Sequence, residues 1–350
     1  MSIPFSLFFF LILQASLLHS STTTLDTFKI DLDLDPEERW KDVILSKKEY
    51  IQQYTKLVLQ QLQNTQISAL LSEIESSSYF QDTDFSKEMM GVAKYSDLSY
   101  SEVFINNFMY ETFAGCTSIV YENADGEVVL GHNLDYFFTV PIGHLIVLLE
   151  FYRNGNLLYK AQSVAGQIGV FTALQPNGYA LTLNQRTKGD SGDLMDHLRD
   201  LFNNEVYPVI YNMRLGLDKT KNFEDAVTFF SNVQLGANCY FILSGIEHNQ
   251  GIVITRNPNG VDDSIRLNSD ENDEWFLVQT NSDRDLPNYS QIDIRRAQAE
   301  NRVKAIGKDE ISSDKLMNDV LNLSPNKNSI TFLSGYLSAQ TGEFETTMWI

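Results

Sequence analysis

A chain of 350 residues, 43% hydrophobic and 12% aromatic, holds ample material for a packed core, as one large domain or two modest ones. Its 46 Asp and Glu against 26 Lys and Arg leave a formal charge of −20. That excludes a nucleic-acid binder, which needs basic patches to release counterions from phosphate, and is compatible with an acidic compartment. The two cysteines, Cys116 and Cys239, make no disulfide framework.

Residues 1–20 read as a signal peptide: an apolar stretch from Phe5 to Leu18, then Ser20, Ser21 and Thr22 to Thr24. A retained membrane anchor is the rival reading, but the stretch is short and Ser6, Gln14 and Ser16 interrupt it. No later segment approaches the ~20 apolar residues that a membrane helix needs. Residues 28–34 alternate apolar and polar (Phe28, Ile30, Leu32, Leu34), the period of a strand. Asp35-Pro36-Glu37-Glu38 is a helix start, and apolar residues recurring from Trp40 predict a helix over 37–64. Further helices are predicted at 66–76, 86–92 and 101–112.

Beyond residue 115 the texture changes to short strands. Gly115-Cys116-Thr117-Ser118-Ile119-Val120 leads into Asn123-Ala124-Asp125-Gly126 and then Val128-Val129-Leu130, a hairpin pattern. A two-residue Asp125-Gly126 turn makes facing residue numbers sum to 251. Cys116 then faces Asp135, a thiol beside a carboxylate, while His132 falls on the other face. A lone cysteine in an apolar run also fits a small buried hydrophobe. Strands are predicted at 145–152, 157–162, 170–173, 179–184, 239–244, 252–255, 265–267 and 275–280, with one or two more from Ser329. Helices are predicted at 193–203, 223–230, 295–306 and 314–321. This pattern supports an α+β chain.

Cys-Thr-Ser-Ile-Val at Cys116, followed by Gly131-His132-Asn133-Leu134-Asp135-Tyr136, resembles the acid ceramidase and N-acylethanolamine acid amidase family of N-terminal-nucleophile hydrolases. The resemblance spans nearly the whole mature chain and looks closer to the acid ceramidase branch. It implies an αββα four-layer sandwich and self-cleavage between Gly115 and Cys116. Residues 21–115 then form a helical N-terminal chain (alpha subunit) and 116–350 the catalytic chain (beta subunit). No cysteine lies in residues 1–115, so no disulfide joins the two and association is expected to rest on packing alone.

The resemblance implies Cys116 as nucleophile, its freed α-amine as base, and Asp135 as the group that orients that amine. Asn281, in Val278-Gln279-Thr280-Asn281-Ser282-Asp283-Arg284, matches an asparagine of the oxyanion hole. Arg295, in Asp293-Ile294-Arg295-Arg296, matches an active-site arginine, with Arg296 as the fallback. Asn184, in Leu181-Thr182-Leu183-Asn184-Gln185-Arg186, supplies a further polar contact. Each has a structural alternative: a turn cap for Asn281, a surface ion pair for Arg295, a hairpin end for Asp135.

His132 stands where relatives carry arginine. Protonated His132 is expected to replace that charge in part at acid pH, or else the change marks a weakened member. The implied function is hydrolysis of the amide of an N-acylated lipid. Ceramide comes first, with an N-acylethanolamine amidase or a silent lipid-binding homologue as alternatives. The expected partners are the lipid amide and a transient membrane surface, and the location lysosomal or secreted. No cofactor or metal is expected, since His144, His197 and His248 lack ligand spacing. Asn288-Tyr-Ser290 and Asn322-Leu-Ser324 are glycosylation candidates.

Overall fold

Short, largely apolar runs that are buried on both faces build two sheets, and what covers each face places the site. A computed structural model describes residues 25–349 apart from 63–64, 77–81, 110–113, 137–138, 187–197, 200–201, 203, 271–273 and 286–292. The proposed signal peptide, His197, Asn288 and most of the helix expected at 193–203 lie outside the described residues.

The first sheet has eight strands: β1 (Asp26–Asp31), β4 (Ile146–Arg153), β5 (Asn156–Val164), β6 (Thr172–Gln175), β7 (Tyr179–Gln185), β8 (Cys239–Ser244), β9 (Gly251–Asn257) and β10 (Gly260–Arg266), in that order. The second has five, ordered β11 (Phe276–Gln279), β2 (Ala114–Glu122), β3 (Val128–Tyr136), β12 (Thr331–Ser338) and β13 (Glu343–Met348).

The sheets face one another across Val120, Leu130, Ala180, Ile242, Val253, Leu277 and Leu337. The first sheet's outer face packs on α1 (Lys41–Gln61), α3 (Asp84–Ser96), α4 (Tyr100–Phe108), α6 (Val209–Lys219) and α7 (Phe223–Asn232), with α2 (Thr65–Ser76) and α5 (Thr139–Leu145) alongside. The second sheet's outer face packs Ile119, Tyr121, Val129 and Val278 on α8 (Ile294–Ile306) and on a π-helical turn at Leu316–Leu321. This is the expected α+β helix–sheet–sheet–helix layering.

The helical N-terminal region is more than a cap. Its strand β1 pairs in parallel with β4 and so forms an edge of the first sheet. The expectation that packing alone holds residues 21–115 to the rest is therefore corrected: a main-chain ladder contributes as well. So does a buried ion cluster. Glu88 of α3 accepts from Arg39 Nη1 (2.8 Å), Trp40 Nε1 (2.8 Å) and both Nη atoms of Arg214 on α6. Glu88 and Arg214 are both buried, which makes the pair costly to break from one side.

The hairpin register differs from the sequence expectation by one residue. The Asn123 N–H donates to Glu127 O at 3.0 Å, and Gly126 takes φ +79°. The loop is thus the three residues 124–126, with the left-handed position filled by glycine, not a two-residue turn. Facing numbers sum to 250: Cys116 faces Leu134, Ser118 faces His132, and Gly115 faces Asp135. A one-residue slip exchanges faces throughout. Cys116 and His132 therefore both point between the sheets, and Asp135 points to the α8 side.

Candidate active site

Cys116 sits near the start of β2, fully buried, with its thiol donating to Leu183 O of β7 at 3.4 Å. Its peptide nitrogen, which stands where a freed α-amine would be, donates to Asn281 Oδ1 at 3.0 Å. Asn281 follows β11, the neighbour of β2. Its Oδ1 also accepts from Arg295 Nη2 at 2.6 Å, while its Nδ2 donates to Gln185 O at 2.8 Å. Two donors converge on the oxygen and one acceptor meets the nitrogen, which fixes the orientation of the amide. The Asn281 N–H₂ thus gives one hydrogen to the Gln185 carbonyl, and its Oδ1 holds the Cys116 nitrogen.

Arg295, in the first turn of α8, connects the parts. Its Nη1 donates to Cys116 O at 3.1 Å and to Asp135 Oδ2 at 3.0 Å. Arg296, about 100° further round the helix, turns away and donates to Ser282 O and Asp283 O, both at 3.2 Å. Of the two, Arg295 is the one that meets Cys116, Asp135 and Asn281.

Asp135 also accepts from Thr331 Oγ1 at 2.5 Å and Asn328 Nδ2 at 2.9 Å. Burial pushes its carboxyl above the usual range, opposed first by the Arg295 charge and then by these donors. Asp135 does not face Cys116 across the ladder. It reaches the site beside Gly115, where an added Cβ would lie 3.2 Å from Asp135 Cβ. Glycine at 115 lets the carboxylate lie against the Gly115–Cys116 bond.

Asn184 lies one layer further in. Its Oδ1 accepts from Ser118 Oγ at 2.6 Å, and its Nδ2 donates to Gln279 O (2.9 Å) and Thr280 O (3.2 Å). It ties the first sheet to the end of β11 and so steadies Asn281 from behind.

The chain is similar to an N-acylethanolamine-hydrolyzing acid amidase from Caenorhabditis elegans. The two are 32% identical over 321 residues, covering 88% of this chain and 87% of the relative. Human acid ceramidase is 29% identical over 345 residues, covering 91% and 85%. The chain belongs to the acid ceramidase and N-acylethanolamine acid amidase family. The family's model for the beta subunit of N-acylethanolamine-hydrolyzing acid amidase matches residues 23–76, so that name falls on the N-terminal part. The solved C. elegans ortholog of the amidase superposes with a TM-score of 0.58 at 32% identity, covering 64% of this chain and 93% of that one. These relatives are amide hydrolases by name.

Two further expectations meet the geometry. His132 lies between the sheets, on the same face as Cys116, so no bulge is needed to bring it there. Its Nδ1 pairs with Thr172 Oγ1 at 2.8 Å, and among the described residues its Nε2 meets no hydrogen-bond partner and no carboxylate pairs with the ring. Burial pulls the imidazole down to about 3. The idea that protonated His132 replaces an arginine at acid pH is therefore corrected: the ring is neutral over the ordinary acid range. Among the described residues, no group of three or more His, Cys, Asp and Glu is placed to hold a metal ion.

Sequence reasoning missed Asn133, Asn326, Asn328 and Thr331. Asn133 Nδ2 donates to Leu321 O (2.7 Å) and Asn326 O (3.2 Å), and Asn326 Nδ2 donates to Arg295 O (2.9 Å). These side chains fix the backbone that presents Arg295. The asparagine-rich run before the last strands was the available signal. Asn322, a glycosylation candidate, is half-buried with its amide oxygen enclosed.

Proposed function

We propose that the chain cleaves itself between Gly115 and Cys116 and then hydrolyses the amide of an N-acylated lipid. Ceramide is the first substrate. Support comes from the Cys116 nitrogen, held by Asn281 Oδ1 within one network with Arg295 and Asp135. In self-cleavage, Cys116 Sγ bonds to the Gly115 carbonyl carbon as the Gly115–Cys116 C–N bond breaks, and the nitrogen takes up a proton. Water then hydrolyses the thioester, leaving a Gly115 carboxylate and a free Cys116 amine.

An α-amine titrates near 7.7–8.0 in ordinary peptides, so it can accept the thiol proton without a histidine. Sγ then attacks the lipid carbonyl, and the amine returns the proton to the leaving nitrogen. Water releases the fatty acid from the acyl-cysteine. Asp135 and Asn281 orient the amine, and the Arg295 cation favours the negative charge that develops on the substrate oxygen.

The N-acylethanolamine reading is favoured by the 32% identity to the nematode amidase. Both substrates share a fatty amide of a 2-amino alcohol. A panel of ceramide and N-acylethanolamine with one acyl chain, assayed on protein held at mildly acidic pH, separates the two. Release of fatty acid from ceramide alone supports the first reading. Release from N-acylethanolamine alone replaces it with the second, and release from neither refutes both. Traffic through the secretory route to a lysosomal or extracellular location is part of the same proposal.

A further inference from the structure

Two residues beyond Asn281, the chain is gripped by an ion cluster that the reaction as described does not use. Arg186 follows Asn184 and Gln185, the last residues of β7, and its side chain is 2% exposed. Nε and Nη2 grip Asp283 at 2.5 and 2.7 Å, and Nη1 donates to the Asp262 carboxylate and to Arg256 O (3.2 Å). The Tyr240 hydroxyl adds a hydrogen bond to Asp283 Oδ1 at 2.6 Å.

Asp262 comes from β10, an edge strand most of whose residues are exposed. Val261 pairs with Arg256 and Asp263 with Thr255, so Asp262 is the extra residue of a bulge. A bulge bends the strand and re-aims a side chain. Here the carboxylate turns inward onto Arg186 and is left 26% exposed. Enclosing a cation between two carboxylates is a poor route to stability, because desolvation offsets most of the attraction. The bidentate Arg–carboxylate fork instead fixes geometry.

The held geometry is the 281–283 turn. The end of β7 holds it at two points: Gln185 O accepts from Asn281 Nδ2, and Arg186 donates to Asp283. We propose that Arg186, clamped between Asp262 and Asp283, is the positioning residue that keeps Asn281 Oδ1 on the Cys116 nitrogen. The proposal rests on the reading of that nitrogen as the base. Loss of the clamp releases the turn, moves the acceptor off the amine and weakens its preference for the ammonium form. The amine then loses its proton at lower pH.

The test compares Arg186→Met, Arg186→Lys and Asp262→Asn with Arg266→Met. The last removes an exposed ion pair to Glu224 from the same strand. Rates are normalised to chains that mass spectrometry shows to begin at Cys116. Arg186→Met is expected to lower kcat by ~10–100-fold, as a misplacement of about 1 Å does. KM should stay within about twofold, and the pH midpoint of kcat should move down. Asp262→Asn gives a smaller change of the same kind, Arg186→Lys recovers part of the rate, and Arg266→Met matches the parent.

Unchanged kcat and pH midpoint in Arg186→Met overturn the proposal, as does a loss that only follows the fall in Tm. If Arg186→Met does not accumulate, Asp262→Asn decides on the same two readouts. A parent chain that neither splits nor turns over refutes the amidase reading itself, and the positioning role with it.

Discussion

Replacing Asp135 by asparagine keeps the shape of the side chain and removes the charge that Arg295 neutralises. The carboxylate accepts three hydrogen bonds, from Arg295 at 3.0 Å, Asn328 at 2.9 Å and Thr331 at 2.5 Å. Hydrogen bonds to a charged group contribute ~1.5–3 kcal/mol each, and removing one partner of a buried pair costs ~3–5 kcal/mol. Arg295 is 24% exposed, so water takes over part of the loss and the lower end applies. About 2–3 kcal/mol misdirected from the amine corresponds to a ~30–150-fold fall in kcat, at ~1.4 kcal/mol per tenfold.

The pH profile supplies a second readout. Because burial raises the Asp135 carboxyl, its ionised form is lost as pH falls through a value above the usual carboxylate range. The parent therefore carries two contributions to its acid limb, one from the Cys116 amine and one from this carboxyl, and Asp135→Asn should lose the second. The assay is single-turnover release of fatty acid from a fluorogenic N-acyl amide, run from pH ~4 to ~7 to span ordinary carboxylate and imidazole values. A variant within about threefold of the parent, with the acid limb intact, refutes the role assigned to Asp135.

Other expectations follow from the same contacts. His132→Arg places a permanent cation between the sheets with no carboxylate paired to it, and should lower Tm without raising activity near neutral pH; a gain there contradicts a neutral His132. His132→Gln should leave the shape of the pH profile unchanged. Glu88→Gln takes the bidentate carboxylate from buried Arg214, leaving it Asp218 at 4.0 Å and Ile168 O, and should destabilise the union of the N-terminal helices with the rest by ~3 kcal/mol, read by denaturant titration. His248 is raised above its ordinary value, chiefly by its hydrogen bond to Asp270 and then by Glu122. Its contribution to stability is full below the unfolded value of ~6.5 and is lost as pH rises through the folded value. His248→Ala should therefore lower Tm in acid and leave it unchanged in mild base; an equal shift at both pH values contradicts this.

The hairpin shows how far the sequence carried the site. The β-branched runs and the Asp-Gly step marked both strands, but the register turned on one residue of loop length. Asp135 was singled out for a contact with Cys116 that it does not make: it faces Gly115 and meets Arg295 on the opposite face. The alternation at 28–34 revealed a strand, yet its parallel partner β4 lies more than a hundred residues away and leaves no local trace. Helix α6 went unassigned because its buried residues include Asn212 and Arg214, which read as polar. Arg295 and Arg296 are alike in sequence and only the phase of the helix separates them. Asn328 and Thr331 came within reach only once β12 was paired with β3.

The central claim is that Cys116 becomes the first residue of a new chain and attacks from there. N-terminal sequencing and intact mass of the protein held at mildly acidic pH test it directly. The account predicts two fragments, one ending at Gly115 and one beginning at Cys116, with Cys116→Ala unsplit and inactive. An unbroken backbone in a preparation that hydrolyses the lipid amide, or full turnover by Cys116→Ala, contradicts it.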